Sequence, residues 1–231
     1  MNASPIKIQQ GMRRQLQSWR ESVARGGQRL GWKVGYNMQA DQQRLNLPAA
    51  MVGFLSSERR LDSGAHYQAP TNAVLLIEPE VAILMGSDVP ADASAAQAGA
   101  AIAACTAALE LVDTTRSVND DMEEILAGNL FHERVVLGEQ QLAANAFVRE
   151  QLSLSLRING AEVRTLEPAR VPQDFSTIVR NVATILALHG EQLQQGDWII
   201  TGAAAKPAPV QVGDVITLAM GQLGTVELEI I

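Results

Sequence analysis

The stretch Leu75-Leu76-Ile77-Glu78-Pro79-Glu80-Val81-Ala82-Ile83-Leu84-Met85-Gly86 decides how the rest of the chain is read. It is an apolar run of strand-like composition that carries two carboxylates two residues apart. Extended backbone sends successive side chains to opposite faces, so Glu78 and Glu80 share a face with Leu76, Ala82 and Leu84. Ile77, Val81 and Ile83 take the other. Two adjacent anions on one face of a greasy strand repel each other and resist leaving water. A divalent cation held by oxygen ligands is the simplest compensation. A half-exposed edge strand is the alternative, and Pro79 suits it because proline cannot donate to a ladder. On this stretch alone the two readings stand even.

Two other segments bear on that choice. Ala107-Ala108-Leu109-Glu110-Leu111-Val112-Asp113, if extended, sets Glu110 on one face with Ala108 and Val112. A third carboxylate thus sits in an apolar strand, and a solvated reading of it weakens beside Glu78 and Glu80. Gly31-Trp32-Lys33-Val34-Gly35-Tyr36 reads as a short strand with a lone ammonium between apolar neighbours. An exposed strand lysine is the ordinary explanation of Lys33.

Further out, Ile8, Met12, Leu16 and Trp19 recur at helical spacing and predict a helix over 4–25, stopped by Gly26-Gly27. Arg13, Arg14, Arg20 and Arg25 form its solvated face or touch a neighbouring subunit. A short helix is expected over 39–45, a strand over 51–55 and an alanine-rich helix over 95–106. Cys105 falls in that last helix and reads as a buried structural thiol, because no basic group lies near it. The acidic run Asp120, Asp121, Glu123, Glu124 reads as a solvated loop and surface helix. His132, among charged neighbours, is a candidate acid/base group ahead of a strand over 135–138. Asn159-Gly160 predicts a hairpin between 152–158 and 161–166. Asp174 or Ser176 caps a helix running to His189, whose position suits the helix dipole. Strands over 198–202, 215–220 and 225–231 complete a β-rich core with a few helices outside.

With 231 residues, 47% of them hydrophobic, the chain is long enough for one sizeable core. A formal charge of −7 without any Lys/Arg block argues against nucleic acid. One cysteine excludes an internal disulfide. No signal-peptide core and no membrane-length apolar stretch is present, so the expectation is a soluble cytoplasmic protein without membrane contact.

Glu-x-Glu, then Leu-Glu-Leu-Val-Asp, then Gly-Asp-Trp-Ile-Ile-Thr-Gly, taken in order, resembles the fumarylacetoacetate hydrolase superfamily. The glycine-flanked Lys33 and the closing segments Val212-Gly213-Asp214 and Gly221-Gln222-Leu223-Gly224 fit its branch of 2-hydroxypenta-2,4-dienoate hydratases and 4-oxalocrotonate decarboxylases. The resemblance runs from about residue 30 to 231. It implies an α+β, β-rich fold, a mixed β-sandwich roll with peripheral helices. The division is then a helical segment over 1–30 and a catalytic domain over 31–231. It also implies a homo-oligomer, and a complex with a related hydratase or decarboxylase.

Carried over by position, Glu78, Glu80 and Glu110 match carboxylates that hold Mg²⁺ or Mn²⁺. Lys33 matches a lysine beside the reacting substrate. Thr201 and Gly202 match a strand end lining the pocket near the substrate carboxylate, and Asn129 matches a substrate-side asparagine. Two departures stand out. Met51-Val52 replaces an acidic residue before the glycine matching Gly53, and Leu130-Phe131-His132-Glu133-Arg134 replaces small residues after Asn129. His132 and Glu133 are therefore the candidates for the missing water-activating acid. The activity implied is metal-dependent hydration of a 2-hydroxy-dienoate, as in breakdown of aromatic meta-cleavage products. A 2-oxo diacid decarboxylase or C–C hydrolase is the enzymatic alternative, and a catalytically silent partner subunit the other.

Overall fold

A computed structural model describes residues 4–115 and 121–231. The chain opens with helix α1 (Pro5–Ala24), where the Ser4 side chain accepts the Lys7 amide and proline takes the first turn. Strand β1 (Arg29–Gly35), helix α2 (Gln39–Leu45) and strands β2 (Met51–Ser56), β3 (Arg60–Leu61) and β4 (Ala65–Tyr67) follow. Two long strands, β5 (Leu75–Met85) and β6 (Ile102–Asp113), flank the short helix α3 (Ala95–Ala100). Next come α4 (Met122–Ala127), β7 (His132–Leu137), β8 (Leu142–Ala143) and the hairpin of β9 (Ser155–Ile158) and β10 (Ala161–Thr165). Helix α5 (Phe175–Ala187) and strands β11 (Trp198–Ala203), β12 (Ala208–Val210), β13 (Val215–Ala219) and β14 (Thr225–Ile230) close the chain.

Among the described residues, nine strands form one sheet, ordered β2-β1-β11-β5-β6-β7-β3, with β12 added to β5 and β8 to β6. Five more form a second, ordered β10-β9-β13-β14-β4. The second sheet is one-sided. Val226, Leu228 and Ile230 of β14 are buried while Thr225 and Glu227 face water, and β14 packs on β6 and β7. By contrast β5 and β6 are buried at most positions on both faces. The fold is therefore the β-rich, mixed sheet roll with peripheral helices that the sequence led us to expect.

Cross-strand partners lie on the same face of a sheet, so the inner face of the large sheet can be traced residue by residue. Lys33 is opposite both Gly53 and Ile200, Ile200 is opposite Ala82, and Glu110 is opposite both Glu78 and Val135. One face thus carries Lys33 and all three glutamates. Beneath them, Leu55, Ala82, Ala108, Val135, Leu137 and Ile200 form an apolar plug separate from the main core. In a flat sheet β1 and β6, three strands apart, would lie about 14 Å from each other. The Lys33 ammonium nevertheless touches Glu110. The sheet must curl, closing its inner face around the carboxylates.

Several expectations need correction. The helix predicted over 95–106 ends at Ala100, capped at its start by a reciprocal Ser94–Gln97 box, and residues from Ile102 onward join β6. Small alanines suit a strand buried on both faces as well as a helix, and here pairing with β5 and β8 overrides propensity. Cys105 therefore lies on a strand, buried as expected, with its thiol pushed up to about 11 by burial. Lys33 is 3% exposed rather than a surface lysine. Arg13, Arg14, Arg20 and Arg25 are exposed as expected, and Arg14 pairs with Glu124 and Arg20 with Glu191. Asp121 caps α4, whereas Asp120 lies outside the described residues. His189 sits just past the C-terminus of α5 as expected, and burial, Arg13 and Arg20 all hold it below its ordinary pKa. No helix among the described residues is long and apolar enough to cross a membrane.

Candidate metal and substrate site

The ladder between β5 and β6 sets Glu78 directly opposite Glu110, a like-charge pairing that costs stability by itself. Glu80 is one pleat further along. One oxygen from each of the three carboxylates lies within 4.8 Å of the others. Glu80 and Glu110 are each 1% exposed, and Glu78 is half-buried. Burial, then the charge of Glu110, pushes Glu78 up to about 7. Burial, Glu110 and Glu78 together lift Glu80 well above the carboxylate range. Burial also works against charge on Glu110, but Lys33 and His132 outweigh it and hold Glu110 below its usual value.

The edge-strand alternative fails, because β5 lies between β6 and β11. Pro79 is tolerated there for a local reason. Its carbonyl accepts the Ala204 amide, so its missing donor faces the side on which β11 is interrupted by a register shift between Ile200 and Ala203. Glu80 Oε1 and Glu110 Oε2 are buried without a hydrogen-bond partner among the described residues. Buried polar atoms are ordinarily satisfied. Two orphan oxygens in one all-carboxylate cage fit a hard divalent cation.

Lys33 donates to Glu110 Oε1 and to the Leu130 carbonyl at 3.1 Å. Gly53 makes room for it, since a Cβ there would lie 2.7 Å from both Lys33 Cγ and Asn129 Oδ1. His132, 3% exposed, places Nδ1 2.7 Å from Glu110 Oε1, while its Nε2 is buried without a partner. Burial outweighs Glu110 and lowers the His132 pKa. The Gly202 amide donates to Glu80 Oε2 at 2.7 Å from within the β11 irregularity. A side chain at Gly202 would meet Asn37 at 2.3 Å, at a φ of +100°.

The cage opens on a cavity of about 320 Å³, lined by Lys33, Tyr36, Glu78, Glu110, Arg170 and Gly202 among others. Three candidates lie elsewhere. Asn129 clamps β2 from both sides of its amide, accepting from Phe54 N at 2.8 Å and donating to Phe54 O at 2.9 Å. Thr201 donates to the Val81 carbonyl at 2.9 Å and is 1% exposed. Glu133 points away, bonded to Tyr67, Arg59 and Arg134 around a different cavity. The turn between them is strained. Asn129, Leu130 and Phe131 have φ values of +58°, +53° and +64°, three non-glycine residues in a region L-residues avoid. That turn aims the Leu130 carbonyl at Lys33.

Sequence reasoning missed Tyr36 and Arg170. Tyr36, at φ +55°, follows the Lys33 strand, and burial raises its phenol. Its place after a glycine-flanked strand was a usable signal. Arg170 comes from a short 3-10 turn (Pro168–Arg170) and meets the cage only through the fold.

Comparison with known proteins fits this geometry. The family model for the fumarylacetoacetate (FAA) hydrolase C-terminal domain matches residues 29–231. The chain belongs to this family. A 4-oxalocrotonate decarboxylase of Pseudomonas sp. is 24% identical over 220 residues, covering 88% of this chain and 79% of that protein. The TodF product hydratase of Pseudomonas putida strain F1 is 25% identical over 208 residues, covering 89% and 77%. Both enzymes of the branch suggested by the motifs are thus among the relatives. In fold, the chain resembles the 4-oxalocrotonate decarboxylase of Pseudomonas putida G7 complexed with magnesium and adipate. The TM-score is 0.86 at 24% identity, over 94% of this chain and 83% of that one. The same enzyme complexed with calcium and acetate gives 0.85. A fumarylpyruvate hydrolase from Burkholderia cenocepacia gives 0.68 at 17% identity, over 88% of each chain.

Proposed function

We propose that this protein is a divalent-metal-dependent decarboxylase of a 2-oxo dicarboxylate of the 4-oxalocrotonate type. The observation that carries the reading is what faces the cavity. Lys33 and the cage residues Glu78 and Glu110 do, whereas His132 and Glu133, the candidates for activating water, do not. Loss of CO₂ needs no activated water and hydration does.

Glu78, Glu80 and Glu110 would hold Mg²⁺ or Mn²⁺, which when bound supplies a Lewis acid for the substrate oxygen on which negative charge develops. The Gly202 amide fixes Glu80, and His132 and Lys33 fix Glu110, so the donors are set before substrate arrives. Lys33 Nζ holds protons at the cavity wall, positioned by Glu110 and the Leu130 carbonyl to deliver one to the substrate carbon after CO₂ leaves. The apolar plug beneath keeps bulk water from the inner face.

Hydration of 2-hydroxypenta-2,4-dienoate is the second reading, supported by the hydratase among the relatives. The test is metal-stripped protein given 2-oxohex-3-enedioate, with and without Mg²⁺ or Mn²⁺, while CO₂ is measured. Metal-dependent CO₂ release supports the decarboxylase. Conversion of the dienoate to 4-hydroxy-2-oxopentanoate, without CO₂ release from the diacid, moves the assignment to the hydratase. Neither reaction, with metal bound, leaves a silent partner subunit in a homo-oligomer or a mixed complex.

A further inference from the structure

Among the described residues, two cations line the cavity, in very different states. Lys33 is committed, donating to Glu110 and to the Leu130 carbonyl. Arg170 is not. Its Nε donates to Glu167 Oε2 at 2.9 Å, and among the described residues its two terminal nitrogens have no hydrogen-bond partner. The side chain as a whole is 22% exposed, so it is largely withdrawn from bulk water.

Its orientation is nevertheless built. Glu167 Oε1 accepts the Lys206 amide at 2.7 Å, and the Glu167 amide donates to the Ala204 carbonyl at 3.0 Å. Glu167 is therefore tied at two points to the segment that follows β11, and it holds Arg170, which lines the cavity, by its Nε. Asp41, another carboxylate on the cavity wall outside the cage, is paired with Arg44 at 2.8 Å. A leftover guanidinium fork facing a small cavity is a receptor for a planar anion.

We propose that Arg170 is a specificity-determining residue that binds the second carboxylate of the substrate. This rests on the proposed function and assigns a residue to the second carboxylate of that dicarboxylate. One end of the substrate, the 2-oxo acid, lies against the cage, and the other carboxylate takes the open edge of the Arg170 fork. A cavity of about 320 Å³ is at the small end for ligand sites and excludes a bulky tail. A neutral tail of the right size is rejected differently, because it would bury the guanidinium edge without an acceptor.

The test is calorimetric binding of two unreactive acids to the full-length, Mg²⁺-loaded protein. 2-Oxoadipate carries both carboxylates. 2-Oxohexanoate has the same 2-oxo acid and chain length without the second. A tenfold to hundredfold preference for 2-oxoadipate is expected, equivalent to about 1.4–2.8 kcal/mol. Arg170→Met should bring the ratio of the two affinities to about one. The ratio is the readout because loss of a positive charge near Glu78 would move both acids together. Equal binding by the wild-type protein overturns the inference, as does an unchanged ratio in R170M. If neither acid binds in a metal-dependent way, the proposed function fails and the inference with it. Binding of both acids without preference refutes Arg170 alone.

Discussion

Two buried acidic centres of the same sheet make an instructive pair. Asp197, 3% exposed, accepts from Arg29 Nε at 2.6 Å, Trp32 Nε1 at 3.0 Å and the Gln194 amide at 2.9 Å. Arg29 lies over the rings of Trp19 and Trp32, at 5.6 and 5.1 Å from their centroids, tying α1 to β1. Both Asp197 oxygens are paired there, and no carboxylate oxygen is left over to bind a ligand. The Glu78, Glu80, Glu110 cage is as deeply placed but unfinished, with three carboxylates, one close cation and two orphan oxygens. Burial with complete pairing is structure. Burial with a remainder is what a ligand site requires.

That contrast can be broken by exchanging the two behaviours. Asp197→Ala strands the Arg29 guanidinium and the Trp32 indole and should cost about 3–5 kcal/mol in denaturant unfolding, with metal stoichiometry unchanged. Metal loss in that variant would mean that the two centres are not independent. Glu80→Gln should do the reverse. Metal-dependent turnover drops roughly 10³-fold, while metal-free stability stays level or rises because one repelling charge has gone. Lys33→Met should lower turnover about 10²-fold with metal affinity retained. An unchanged rate removes Lys33 from proton transfer.

The pH response sharpens the comparison further. Folding lifts Glu78 from an ordinary carboxylate value to about 7, so between these values the folded state binds more protons than the unfolded one. Stability of the metal-free protein should therefore fall as pH rises from about 4.5 to 7, by about 2 kcal/mol for Glu78 once solvent in the cavity is allowed for. Saturating Mg²⁺ should abolish the fall, and thermal melts across that range read both. A flat metal-free profile would mean that the cage is not electrostatically strained. The smallest effect belongs to the surface, where Arg14→Ala should change stability by less than about 1 kcal/mol.

Much of this was legible because the decisive patterns are local. A period of two through 75–86 sets the two glutamates on one face, and Asn159-Gly160 marks a hairpin by its own chemistry. The four carboxylate and lysine positions of the cage followed from that reading and from the family resemblance. What stayed hidden depends on neighbours brought from far along the chain. Residues 102–106 are helix-compatible until β5 and β8 pair with them. Lys33 looks exposed until the sheet curls it onto Glu110, 77 residues away. The strained turn through Asn129, Leu130 and Phe131 sends His132 to the cage and Glu133 away from it, a divergence that adjacency in sequence conceals. Arg170 carries no motif at all.

The central claim is that Glu78, Glu80 and Glu110 are one divalent-metal site. Calorimetric titration of Mn²⁺ into the metal-stripped protein at neutral pH tests it most directly, with Glu80→Gln alongside. The account predicts one Mn²⁺ per chain with proton release on binding, and loss of that binding in a variant that still folds. Equal binding by both proteins, or none by the wild type, would contradict it.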